Sequence, residues 1–279
     1  MRADKGVAQR MPNYLYEYAK RVQEAHESLT QVLRPVAELC SNIEQSLAPV
    51  CEIIEKRAEL IGAVVTRISP AFLALHETFE RLPPRVQKAL TDLADNGWFF
   101  DFGNGTFPQL FMLQELMEQG DYERIEQYLV DYYETHLGDI EAFLIEQCPH
   151  RAKVLRAAFD AHRNGEYELS TLAFLSQVDG ICRERIGFQY FIKRNERPQT
   201  AQYVDQFTGT ELTGAVLSLL AHPAPIGYSE KQRGESFSEL NRHMIMHGES
   251  LDYGTKINSL KSLSLVNYVA QAVGIPPHE

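Results

Sequence analysis

A helical hydrophobic period runs through almost the whole chain, and the alternation that marks strands is nearly absent. From Val36 to Ile68 a 3-4 spacing of apolar residues continues unbroken, except for Arg57. Pro35 suits the first turn of such a helix, while Pro49 should kink it or split it in two. A seam this long needs a partner, either another helix of the chain or a second subunit. The period continues as acidic amphipathic helices over 108–147, with a start at Asp121-Tyr122 and a break and restart at Gly138-Asp139. A helical hairpin follows over 150–164 and 166–187, turning at Asn164-Gly165. Further helices are expected over 210–222, 237–247 and 255–273, the second stopped by Gly248. The aromatic stretch Trp98–Gly105 reads as a loop, a lid in one reading and, in the safer one, a plug buried beneath the helices. The expected fold is all-α, with an N-terminal helical, coiled-coil-like region (1–149) and a C-terminal helical bundle (150–279).

With 279 residues, 44% of them hydrophobic, the chain can bury a sizeable core. Its four cysteines contain no CxxC pair, which argues against a structural zinc site or a disulfide framework. Free thiols, no apolar stretch in residues 1–10 and no long apolar run point to a soluble, cytoplasmic protein without a membrane span. The net charge of −11 is unevenly placed. Residues 181–279 hold 10 basic and 10 acidic side chains, so the excess lies before them, and residues 95–146 set 12 carboxylates against Arg124 alone. That excludes a bulk-electrostatic nucleic-acid binder; any contact with a polynucleotide has to be local. The acidic stretch reads as solvated helix faces, or as a docking face for a basic regulatory partner. One basic cluster stands out over Arg183–Arg197, in which Lys193, Arg194 and Arg197 are candidates for guiding RNA.

Ionisable groups crowd residues 241–268, NRHMIMHGESLDYGTKINSLKSLSLVNY. His243 and His247 have the i, i+4 spacing of a metal-binding pair, but Met244 occupies the place of a zincin's glutamate and no third ligand is evident. Arg242 and His247 together could act on a phosphodiester. The imidazole would move the proton, and the guanidinium would hold the phosphate and the charge of the transition state. Five residues place the two about 140° apart on an ideal helix, so convergence requires a frayed end. In a third reading these cations merely cap the helix C-terminus and suit its dipole.

Arg242-His243-Met244-Ile245-Met246-His247 is an R-x4-H element with a polar residue after the arginine, lying between two helices near the end of an all-α region. With Asn241, Gly248 and Asp252-Tyr253-Gly254-Thr255 around it, it resembles the signature of the HEPN superfamily. Tyr167–Ile181 is similar to a helix of some bacterial members. The resemblance spans roughly residues 150–273. It implies a helical bundle that homodimerises across a cleft, and metal-independent endoribonuclease activity, without a cofactor, in bacterial defence. Arg242 would then stabilise phosphate, His247 would be the acid/base group, and His243 its polar auxiliary. Asn241 and Asp179 would be auxiliary residues, Asp179 orienting one of the others. Some members carry a modifiable tyrosine two residues after the histidine, where this chain has Glu249. Others are catalytically dead, so a non-catalytic dimerisation protein is the alternative.

Overall fold

The computed structural model describes residues 81–194, 196–207 and 211–274. The apolar seam at 36–68 lies outside them. Residues 84–274 belong to one compact unit. Its helices are α1 (described over 81–95, of which 84–95 belong to the unit), α2 (Phe107–Glu118), α3 (Tyr122–Thr135), α4 (Leu137–Gln147), α5 (Ala152–Arg163) and α6 (Tyr167–Ile186), then the short α7 (Ala201–Val204), α8 (Glu211–Leu217) and α9 (Arg242–Met246), and finally α10 (Lys256–Ala272). The only sheet among the described residues is a two-stranded ribbon, β1 (Lys193–Arg194) antiparallel to β2 (Arg197–Pro198). The chain is all-α, and among the described residues no helix is long and apolar enough to cross a membrane.

The last helix is the axis of the fold. Every residue of α10 from Ser259 to Ala272 is buried, and the helix packs along α6 and also against α3 and α4. The apolar side expected over 255–273 is therefore a helix enclosed all round. Its polar residues need partners inside the protein, and the loop after α1 supplies several. Ser264 Oγ accepts from Phe99 N at 3.1 Å, Gln271 Oε1 accepts from Phe102 N at 3.0 Å, and Gln271 Nε2 donates to Asp101 Oδ1 at 2.7 Å. Trp98, Phe99, Phe100 and Phe102 are buried, as the plug reading expects. Gly97, at φ +82°, makes the turn that sends Trp98 inward, and the Lys261 ammonium lies 5.8 Å from the Trp98 ring. α3 and α4, before the domain boundary expected at 149/150, and α6, after it, all pack on α10, and residues 84–274 on both sides of it lie in one unit.

The local expectations fare unevenly. The α5–α6 hairpin turns at Gly165, φ +77°, as its sequence indicates. The α3–α4 break falls at His136 rather than at Gly138, since His136 bonds back to the Tyr132 carbonyl at 2.8 Å and stacks on its ring. The helix expected over 210–222 tightens into a 3-10 turn at Ser218–Leu220. The helix expected over 237–247 is cut to Arg242–Met246, because Asn241 adopts an extended conformation and caps it.

Candidate functional site

Asn241 assembles the neighbourhood of α9. Its Oδ1 accepts from Met244 N at 3.1 Å, and its Nδ2 donates to the carbonyls of Pro225 and Tyr228 at 2.9 and 3.0 Å. The residue is buried, so its role is to cap α9 and fasten it to the 225–228 turn. At the other end Gly248, φ +71°, lets its own N–H reach Ile245 O and the Glu249 N–H reach Met244 O. The chain reverses there and brings Glu249 back over the helix. Glu249 Oε2 accepts from Arg233 at 2.9 Å, and its Oε1 lies 4.0 Å from His243 Nε2.

His243 and His247 face each other, with ring centroids 4.3 Å apart and planes tilted by 58°. His247 lies just beyond the last helical residue and is exposed; His243 is half-exposed. Arg242 leaves the same turn in another direction, with its guanidinium carbon 5.4 Å from the centre of the Phe191 ring. Among the described residues no hydrogen bond joins Arg242 to either histidine. Its partners set it apart from its peers. Four described arginines are half-buried: Arg151, Arg185, Arg233 and Arg242. Arg151 is tied to Glu184 and Gln177, Arg185 to the Gln147 carbonyl, and Arg233 to Glu249. Among the described residues Arg242 has a ring contact but neither a carboxylate nor a hydrogen-bond partner for its buried Nε.

Asp179 touches none of these side chains. From α6 its Oδ1 accepts from Phe191 N at 2.9 Å, which fixes the backbone of the residue on which Arg242 rests. Of the basic candidates, Arg194 is exposed. Arg197 is held by both oxygens of Asp205, at 3.1 and 3.3 Å. Lys193 bonds Gln232 and lies 5.2 Å from the Tyr228 ring, and burial lowers its pKa below the usual lysine range. Arg185, from the same sequence cluster, binds the end of α4 instead. Sequence reasoning passed over Phe191, Tyr228 and Arg233. They follow irregular segments whose course no periodicity encodes. Glu249 was legible only as the residue standing where some HEPN members have tyrosine.

Among the described residues no three His, Cys, Asp or Glu side chains are arranged to hold a metal ion. A second histidine cluster, Glu134–His162–Ser259, has the composition of a hydrolase triad. Ser259 is fully buried, however, and no substrate can reach it. Compared with known protein families, curated proteins and solved structures, the chain shows no match.

Proposed function

We propose that the protein is a metal-independent endoribonuclease acting in bacterial defence, with Arg242 and His247 as its catalytic residues and His243 as auxiliary. The observation that carries this reading is the half-buried guanidinium of Arg242, which has no carboxylate partner among the described residues and whose buried Nε has no hydrogen-bond partner there. A cation kept unneutralised on the same helical turn as an open pair of imidazoles suits an anion from outside the chain, and a phosphodiester is such an anion. His247 would take the proton of the RNA 2′-hydroxyl, whose oxygen attacks the adjacent phosphorus and expels the 5′-oxygen of the next nucleotide. That oxygen needs a proton as it leaves, which His243, its ring 4.3 Å from that of His247, would supply as the auxiliary group. The products are a 2′,3′-cyclic phosphate and a 5′-hydroxyl. Homodimerisation and a regulatory partner on the acidic helices belong to the same reading.

The second reading, a non-catalytic dimerisation protein, draws on Asn241, whose side chain is spent entirely on holding α9 to the 225–228 turn. Incubating purified protein with RNA in EDTA, then determining the product ends, separates the two. Cyclic-phosphate ends that vanish in His247→Ala support the nuclease. Intact RNA, or cleavage that EDTA abolishes, rejects it.

A further inference from the structure

Phe191, Tyr228 and Phe237 are half-exposed aromatic residues brought together from two irregular segments. Phe191 follows α6 and is fixed through its backbone by Asp179. Tyr228 closes the turn that Asn241 ties to α9. Gly227 lies against Phe191, so closely that a Cβ there would stand 3.5 Å from the ring. Phe237 stands 6.1 Å from Tyr228, its ring tilted by 40°. Two of the three rings carry a cation: Arg242 at Phe191 and Lys193 at Tyr228. Beside them Ile192 is 42% exposed, and Arg194 is exposed on the ribbon. In a chain of net charge −11, this is a local surface of flat apolar rings interleaved with cations.

We infer that this surface is a stacking platform that binds the unpaired bases of single-stranded nucleic acid. The inference rests on the ribonuclease reading for RNA as the substrate, but the binding it describes can be measured without cleavage. Aromatic faces and guanidinium planes accept the faces of splayed bases, while nearby cations track the phosphates. A duplex hides its base faces in the stack and offers mainly its backbone. The rings and cations do not discriminate sugars, so single-stranded DNA should bind as well. It should stay uncut, because it lacks the 2′-hydroxyl that attacks.

The test uses the full chain carrying His247→Ala, so that the probe survives. It is titrated with a labelled unstructured RNA of about 12 nucleotides, with the same RNA in a duplex, and with the matching single-stranded DNA. Both single strands should bind at least about tenfold more tightly than the duplex. Phe191→Leu and Tyr228→Leu keep an apolar side chain but remove the flat face, and each should weaken single-strand binding about tenfold while duplex binding stays put. Phe191→Tyr should bind like its parent, and unchanged melting temperatures would show that the leucine variants are folded. Duplex binding as tight as single-strand binding, or leucine variants that bind undiminished, would overturn the platform. If the unmutated protein cuts RNA in a His247-dependent way but prefers duplex, the platform alone falls. If it cuts nothing yet binds single strands through these rings, the platform stands and the nuclease reading falls.

Discussion

His162 and His247 occupy opposite kinds of environment in one helical unit. His162, on α5, is buried, and both its nitrogens are used: Nε2 meets Glu134 at 2.9 Å and Nδ1 meets Ser259 at 2.7 Å. A carboxylate can only accept, so Nε2 carries the proton, Nδ1 accepts from Ser259, and Ser259 accepts in turn from Ser170 at 2.6 Å. Four helices, α3, α5, α6 and α10, are joined through that one ring. His247 stands outside a five-residue helix, exposed, with another imidazole as its neighbour. A histidine with both nitrogens bonded inside a core is architecture. One that stands exposed, its ring against a second imidazole, is open to a ligand from outside the chain.

The sharpest way to break this contrast is to exchange the losses. His247→Ala or Arg242→Ala should reduce RNA cleavage by about 10²–10⁴-fold, with an unchanged melting temperature. If either instead lowers stability and no cleavage is found in the parent, the open site is architecture too. Next in size is the plug. Trp98→Ala empties a fully enclosed site stacked on Tyr133 and should cost about 3–5 kcal/mol in denaturant unfolding.

His162→Ala removes the buried bonds to Glu134 and Ser259, leaving Ser259 only Ser170, and should cost about 1–3 kcal/mol. It should also change the pH dependence. Burial, the largest influence, lowers the His162 pKa below its ordinary value near 6.5, with Lys256 and Arg163 acting in the same direction and Glu134 opposing. The unfolded chain therefore takes up this proton at higher pH than the folded one. The histidine's contribution to stability is complete above about pH 6.5 and is lost as pH falls through the folded-state value. The slope of stability between neutral and mildly acidic pH should flatten in His162→Ala; an unchanged slope would mean that the ring is not held neutral.

Gly248→Ala should cost about 1–2 kcal/mol, since a left-handed residue ends α9 there, and should loosen Glu249 from His243. The smallest effect expected is on binding at the ribbon. Arg194→Glu should lower the salt dependence of RNA binding by about one phosphate contact, and Arg197→Glu should change it less, because Asp205 already holds Arg197. Equal effects would mean that the Asp205 pair opens on binding.

The helices were legible where their period and punctuation agree. The α5–α6 hairpin announces itself through its apolar stripe and Gly165, and the aromatic run after Gly97 could hardly remain in water. The end of α9 was legible as well, because a glycine after an apolar turn is a local stop. Its start was not. Residues 237–240 could have been helical, until Asn241 found two carbonyls on a turn thirteen to sixteen residues away.

The sequence by itself determined that the chain is helical, where most of its helices lie, and which segment concentrates arginine and histidine. These follow from the backbone's local preferences and from the period of apolar side chains, both of which act over a few residues. Only the tertiary structure decided which of those groups meet. It paired Arg197 with Asp205 and Arg185 with the end of α4, set Asp179 on the Phe191 backbone rather than on Arg242 or either histidine, and left Arg242 without a carboxylate among the described residues. The reason is that a charge's partner depends on distance in space and on burial. Both are set by how α6, α9 and α10 pack, and a helical period does not contain that information.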